Sequence, residues 1–203
     1  MATIVPDHFM RIAPQIFLSP AQPVRMALFC GARGGVGCSS VCLKTAEALS
    51  RITDEAICLV DGNFRAPSLH NVYGLDRGPG FSDFLLGSGP ARCFAAPVNL
   101  KNLWLLPTGN EVDDVNSLFA SSSFGTRLAQ IATEFRFVLI DSGAGQAAAQ
   151  FAQAASGAVL VIDSDKTRRD DANRMKRIFD TLRLPVLGVV VNRADARAAR
   201  QPV

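Results

Sequence analysis

Histidine is scarce in this 203-residue chain: only His8 and His70 are present. The five cysteines, Cys30, Cys38, Cys42, Cys58 and Cys93, are odd in number and show no paired spacing. These shortages leave no disulfide framework and no ligand set for a structural metal, and they read as reduced thiols in a cytoplasm. Cys38 and Cys42 lie one helical turn apart, but two thiols without further ligands do not make a metal site. No basic segment followed by an apolar core opens the chain, so no secretory signal is expected. An excess of one charge is also missing. The formal net charge is +3, too small to argue for nucleic acid by itself. Arginine outnumbers lysine, a weak hint of anion contacts. The uncharged stretch from Gly143 to Ile162 contains Gln146, Gln150 and Gln153. It changes from alanine-rich to β-branched near Ser156-Gly157, which predicts a helix followed by a buried strand rather than a membrane span.

What is present begins with glycine. The stretch GARGGVGCSS, Gly31 to Ser40, follows the apolar run Met26–Cys30 and precedes a helical pattern from Val41 to Ser50. Strand, glycine-rich loop and helix is the arrangement that holds a phosphate: backbone N–H groups point inward at the positive end of a helix dipole. The usual phosphate-binding loop reads G-x-x-x-x-G-K-[ST]. Counted back from Gly37, its first glycine position holds Ala32 and its lysine position holds Cys38. The loop is kept and its cation is missing. Lys44 lies six residues up the helix, roughly 9 Å away. Arg33 is the nearest cation in sequence, and Ser39 offers a hydroxyl where Mg²⁺ would sit. A glycine turn that binds nothing is the alternative. Cys38, at a helix N-terminus, is either a low-pKa, oxidation-prone thiol or a small buried side chain; the second is favoured.

Further strands are expected at Ala56–Val60, Leu103–Leu106, Arg136–Ile140, Ala158–Ile162 and Val186–Val191. Four of the strands end in Asp61, Asp141, Asp163 and Asn192. Helices are expected at Phe81–Leu86, Phe124–Phe135 and Asp165–Leu182, with loop over 87–101. The ~30-residue alternation predicts one α/β domain: a doubly wound, mainly parallel sheet with helices on both faces. Carboxylates at the carboxyl ends of such strands face the ligand crevice. Residues 1–25 are expected to be an irregular N-terminal extension, broken by Pro6, Pro14, Pro20 and Pro23, whose apolar cluster (Phe9 to Leu18) packs on the domain or on a partner, the first being favoured. Residues 26–193 form the P-loop domain and 194–203 a polar tail.

These residues together resemble the MinD/ParA-like deviant Walker ATPases, from Met26 to about Asn192. The stretch VDGNFRAPSLHNVYGLDRGPGFSDFLLG, Val60 to Gly87, is similar to the cytoplasmic bacterial tyrosine kinases of capsule and exopolysaccharide synthesis. NLWLLPTG (Asn102–Gly109) and FVLIDSGA (Phe137–Ala144) fit the same kinases. The loop itself is more similar to the MinD-like accessory ATPase of bacterial cellulose secretion. The resemblance implies ATP or ADP with Mg²⁺ as cofactor. Gly34, Gly35, Gly37 and Cys38 would lie along the phosphates, Ser39 would coordinate Mg²⁺, and Ser40 would hold the α-phosphate. Asp61 would be the acidic residue that supports the metal or the attacking nucleophile, and Asp141 would be the Walker B carboxylate. Asn192 would touch the adenine, and Arg33 stands where ParA-type proteins place a lysine that crosses a dimer interface.

Departures from the kinases are equally informative. Cys38 replaces lysine, Asn63 replaces an aspartate, and Gly143-Ala144 replaces a proline pair. The kinases phosphorylate a C-terminal tyrosine cluster; here Tyr73 is the only tyrosine. The resemblance therefore implies a nucleotide-binding, catalytically impaired subunit of exopolysaccharide biosynthesis and export. Its partner would be an inner-membrane polysaccharide co-polymerase or secretion component, with a homodimer possible and the chain cytoplasmic or peripheral at that membrane. The rivals are an active ATPase or tyrosine kinase, and a ParA/MinD-like positioning ATPase. For the last, the basic residues from Lys166 to Arg177 are interspersed with and flanked by Asp165, Asp170, Asp171 and Asp180, which favours a solvated face over a nucleic-acid or membrane surface.

Overall fold

The computed structural model describes residues 7–19, 24–145 and 148–193. The polar tail at 194–203, the prolines at 6, 20 and 23, and Gln146 lie outside the described residues. Seven strands form one sheet: β1 Met26–Gly31, β2 Ile57–Asp61, β3 Ala96–Pro97, β4 Leu103–Leu106, β5 Phe137–Ala144, β6 Gly157–Asp163 and β7 Val186–Asn192. Their order is β3-β4-β2-β5-β1-β6-β7. Every pairing is parallel except β3 with β4. Eight α-helices accompany them among the described residues: α1 Asp7–Phe17, α2 Cys38–Ile52, α3 Leu69–Tyr73, α4 Phe81–Leu86, α5 Val115–Ala120, α6 Phe124–Glu134, α7 Ala148–Phe151 and α8 Arg169–Thr181. The α/β class read from the sequence is the observed one.

Strand β1 shows why its run is apolar on every residue. Met26, Leu28 and Cys30 enter one core with Phe81, Phe151 and Phe179. Ala27 and Phe29 enter the other with Val41, Leu49 and Leu59. A strand covered on both faces carries no polar alternation. Register then sets the site. Asp61 pairs with Asp141 across β2–β5, Phe29 pairs with Asp141 across β1–β5, and Asp163 pairs with Asn192 across β6–β7. The acidic strand ends therefore share one edge of the sheet with the glycine loop.

Residues 7–17 correct the irregular N-terminus. They form a helix despite Pro14. The interior proline costs roughly 3 kcal/mol, but Phe9, Ala13, Ile16 and Phe17 are buried at helical spacing. Phe17 meets Phe137 edge-on at 5.6 Å, and burial of four side chains outweighs one lost hydrogen bond. The expected packing on the domain is observed. Three other boundaries differ. Helix α8 starts at Arg169, not Asp165, because the Asp163 carboxylate holds the amides of Asp165 and Lys166 at 2.9 and 3.2 Å in a turn. Strand β5 runs on to Ala144, where it still pairs with Gly31. The 87–101 loop contains a 3₁₀ turn at Ala91–Cys93 and the short β3. No described helix is long and apolar enough to cross a membrane.

Candidate nucleotide site

The loop after β1 is open. Ala32 closes onto the sheet, its amide donating to Val161 O at 2.9 Å. Arg33, Gly34 and Gly35 are then exposed. Added Cβ atoms at Gly34 and Gly35 would meet nothing within 4 Å. Gly35 and Gly37 have φ of +76° and +82°, a region that only glycine enters without strain. The amides of Gly34, Gly35, Gly37, Cys38 and Ser39 donate to no partner among the described residues. They lie at the N-terminus of α2, where such donors and the helix dipole favour an anion.

Cys38 is buried among Val41, Cys42 and Val36. Burial and the neighbouring Asp141 push its thiol well above the usual range. The low-pKa alternative is thus corrected: desolvation outweighs the helix terminus, and the small buried side chain is what the fold holds. Asp141 Oδ1 accepts the Gly143 amide at 3.0 Å. The Ser39 hydroxyl and Cys38 thiol face this carboxylate, yet Oδ2 is buried with no partner at hydrogen-bond geometry. Burial raises the carboxyl's pKa. Lys44 is turned away and pairs with Glu47 at 2.9 Å.

Asp61 is engaged differently. Its Oδ2 accepts the amides of Ser68 and Leu69, both at 3.0 Å, and its Oδ1 accepts Asn63 N at 3.3 Å. Burial raises its pKa, and Asp141 adds to the rise. Thr108, two residues past β4, donates its hydroxyl to Asp61 O at 3.1 Å. Asn63 packs against Gly143, where an added Cβ would meet its Oδ1 at 2.7 Å. Thr108 and the Ser68 and Leu69 amides are neighbours of Asp61 that sequence reasoning missed, whereas Asn63 was noted only as a departure from the kinases. Only PTG at a strand end and the position of Asn63 hinted at them.

Two predicted residues are placed with particular partners. Asn192 donates its side-chain amide to Val36 O at 2.8 Å and packs on Gly37. Arg33 donates from a guanidinium nitrogen to Lys166 O at 2.9 Å, in the turn after β6. Ser40 is exposed on the first turn of α2. The structure therefore brings Gly34–Ser39, Asp61 and Asp141 to the carboxyl edge of the sheet, with Asn192 against the loop and Arg33 reaching the turn after β6.

Chemically, five free amides at a helix terminus suit a phosphate chain. The orphaned Asp141 oxygen and the Ser39 hydroxyl are hard donors of the kind Mg²⁺ takes. No group of three His, Cys, Asp or Glu among the described residues could hold a metal unaided, so a cation here would need ligand oxygens from the phosphates.

Known proteins share this fold. Residues 24–200 match the ParA family, described as an NUBPL iron-transfer P-loop NTPase. Among curated relatives, the putative tyrosine-protein kinase CapB of Staphylococcus aureus is 25% identical over 138 residues, covering 66% of this chain and 60% of CapB. The chain thus spans less than two thirds of that relative. Among solved structures, the chimerical protein CapA2B2 superposes with a TM-score of 0.85 at 22% identity, covering 95% of this chain and 86% of that one. MinD from Pyrococcus horikoshii OT3, solved with Mg-ADP, gives a TM-score of 0.70 at 21% identity, covering 87% and 76%. At these identities the two structures establish the fold alone. With the family match running from just before β1 to beyond β7, this chain belongs to the ParA family of P-loop NTPases.

Proposed function

We propose that the protein binds ATP or ADP with Mg²⁺ but transfers the phosphoryl group poorly or not at all, and that it acts as a regulatory subunit of bacterial exopolysaccharide biosynthesis and export. One observation carries the reading: a buried, neutral Cys38 stands where such loops place an ammonium. Without it, no lysine on the loop neutralises charge that builds on the β- and γ-phosphates, and the loop's one arginine, Arg33, is engaged with Lys166 O. Loss of one such donor costs on the order of 10²–10³ in rate. Asp61 supports the same reading, because its carboxylate is already committed to three backbone amides. Binding rests on the free amides of Gly34–Ser39, with Ser39 and Asp141 supplying oxygens to the cation. Bound Mg²⁺ would offset phosphate charge in place of the lost ammonium. Tyr73, the only tyrosine in this sequence, is tied to Glu47 through its hydroxyl at 3.3 Å, which argues against Tyr73 as a phosphoacceptor. The partner is an inner-membrane polysaccharide co-polymerase or secretion component, reached from the cytoplasm, with a homodimer as the alternative assembly.

A working ATPase is the second reading. Arg33 favours it, being exposed and held by a single hydrogen bond to Lys166 O, so that it can be re-aimed at phosphate in this copy or a neighbour. A turnover assay with purified protein, Mg²⁺ and ATP separates the two. The first reading expects release of phosphate at the rate of buffer alone. Steady release that disappears in Asp61→Ala would overturn it.

A further inference from the structure

Helix α8 buries Met175 and Phe179 and leaves a groove beside them. Its lining is Ala149 of α7 with Arg174, Arg177, Ile178, Thr181 and Leu182, around a volume of about 300 Å³. The floor is apolar, and Leu182 is 38% exposed. Charge along the helix is unevenly satisfied. Lys176 pairs with Asp180 at 2.8 Å, and the Asp171 carboxylate accepts the Arg168 amide at 3.2 Å. Arg174 and Arg177, one turn apart on the rim, have no carboxylate partner among the described residues.

We infer that this groove docks an acidic peptide segment of a partner protein, seated by one bulky apolar side chain. The floor offers apolar area next to two guanidiniums that take carboxylates in a planar fork. The volume lies at the small end of ligand pockets and admits one or two side chains rather than a helix face. A discrete peptide can set its carboxylates opposite the two arginines. An anionic membrane would also confront Asp170, Asp171 and Asp180 on the same helix, which repel it. The groove lies on α7 and α8, apart from the glycine loop, so the assignment does not depend on whether nucleotide binds.

The test uses the intact chain and a fluorescein-labelled peptide, EEFLEE, read by fluorescence polarisation and by amide chemical shifts. Shifts are expected at Ala149 and over residues 174–182, with affinity falling as salt rises. The double variant Arg174→Glu/Arg177→Glu is expected to lose at least tenfold in affinity. Leu182→Ser, which changes only the floor, is expected to lose several-fold. Peptides EEGSEE and KKFLKK are expected to bind much more weakly. An unchanged thermal melt shows that the variants are folded. The inference is overturned if EEFLEE fails to bind at millimolar concentration, if its shifts fall elsewhere, or if the double variant keeps its affinity. It is also overturned if phosphatidylglycerol vesicles bind through Arg174 and Arg177 while the peptide does not.

Discussion

Replacing the buried thiol by an ammonium, Cys38→Lys, tests what the loop is for. In a phosphate-binding loop the new charge would lie about 4 Å from phosphate oxygen. At an effective dielectric near 20 that contact is worth about 4 kcal/mol gross. Desolvating the ammonium in a position only 7% exposed takes back part of this, leaving a net gain of about 1.5–3 kcal/mol. That corresponds to roughly a ten- to hundredfold tighter complex. The cost falls on the unliganded protein. A longer side chain must enter the cluster of Val36, Val41 and Cys42, and overpacking costs about 1–3 kcal/mol. For a chain of this size the melting temperature drops by about 2–12 °C. Calorimetry with Mg·ATP and a thermal melt without ligand read the two effects separately. Tighter binding on a less stable scaffold is the expected pair. A folded variant with unchanged affinity would refute the reasoning, because position 38 would then not face a phosphate.

Other perturbations follow from the same geometry. Burial raises the carboxyl pKa of both Asp61 and Asp141, so the folded state holds their protons more tightly than the unfolded chain does. That stabilisation is complete below the ordinary aspartate value of about 3.9 and is lost as pH rises through the raised values. Asp141→Asn removes its share of the loss: its melting temperature should exceed the parent's at pH 8 by more than at pH 4, and a gap constant with pH would contradict the burial argument. Gly37→Ala puts a side chain at φ +82° and into the Asn192 amide. It should cost about 2–3 kcal/mol from left-handed strain and the lost bond to Val36, measured by chemical denaturation. Of the five thiols only Cys93 is exposed, so a thiol reagent should modify one group in the native protein and all five after unfolding. Fast native reaction at Cys38 would show that the loop opens.

Periodicity alone placed the parallel sheet, because strands buried on both faces write unbroken apolar runs such as Met26–Cys30 and Ile57–Val60. Their acidic ends were legible for the same reason: Asp61 and Asp141 interrupt those runs at one edge. The helix at α1 was not legible, since Pro14 argues against it locally and only contact with α2 and Phe137 supports it. The partners of Asp61 were hidden as well. Ser68 and Leu69 reach it seven and eight residues later, a contact between backbone and carboxylate that no residue type in that stretch spells out. Arg33 and Asn192 were recognisable as site residues, but their partners, Lys166 O and Val36 O, lie more than 130 residues away in the chain. Cys38 shows the balance most clearly. Its position could be counted in the loop, whereas its neutral state depends on the burial that the fold imposes.

The central claim is that main-chain amides of residues 34–39 still hold a nucleotide after the lysine has gone. Calorimetric titration of the purified chain with Mg·ADP and Mg·ATP tests it most directly. The account predicts saturable one-site binding in the micromolar to millimolar range, weakened in Gly35→Val, which fills the open cradle. An absence of heat and of any ligand-dependent rise in melting temperature at millimolar nucleotide would contradict it.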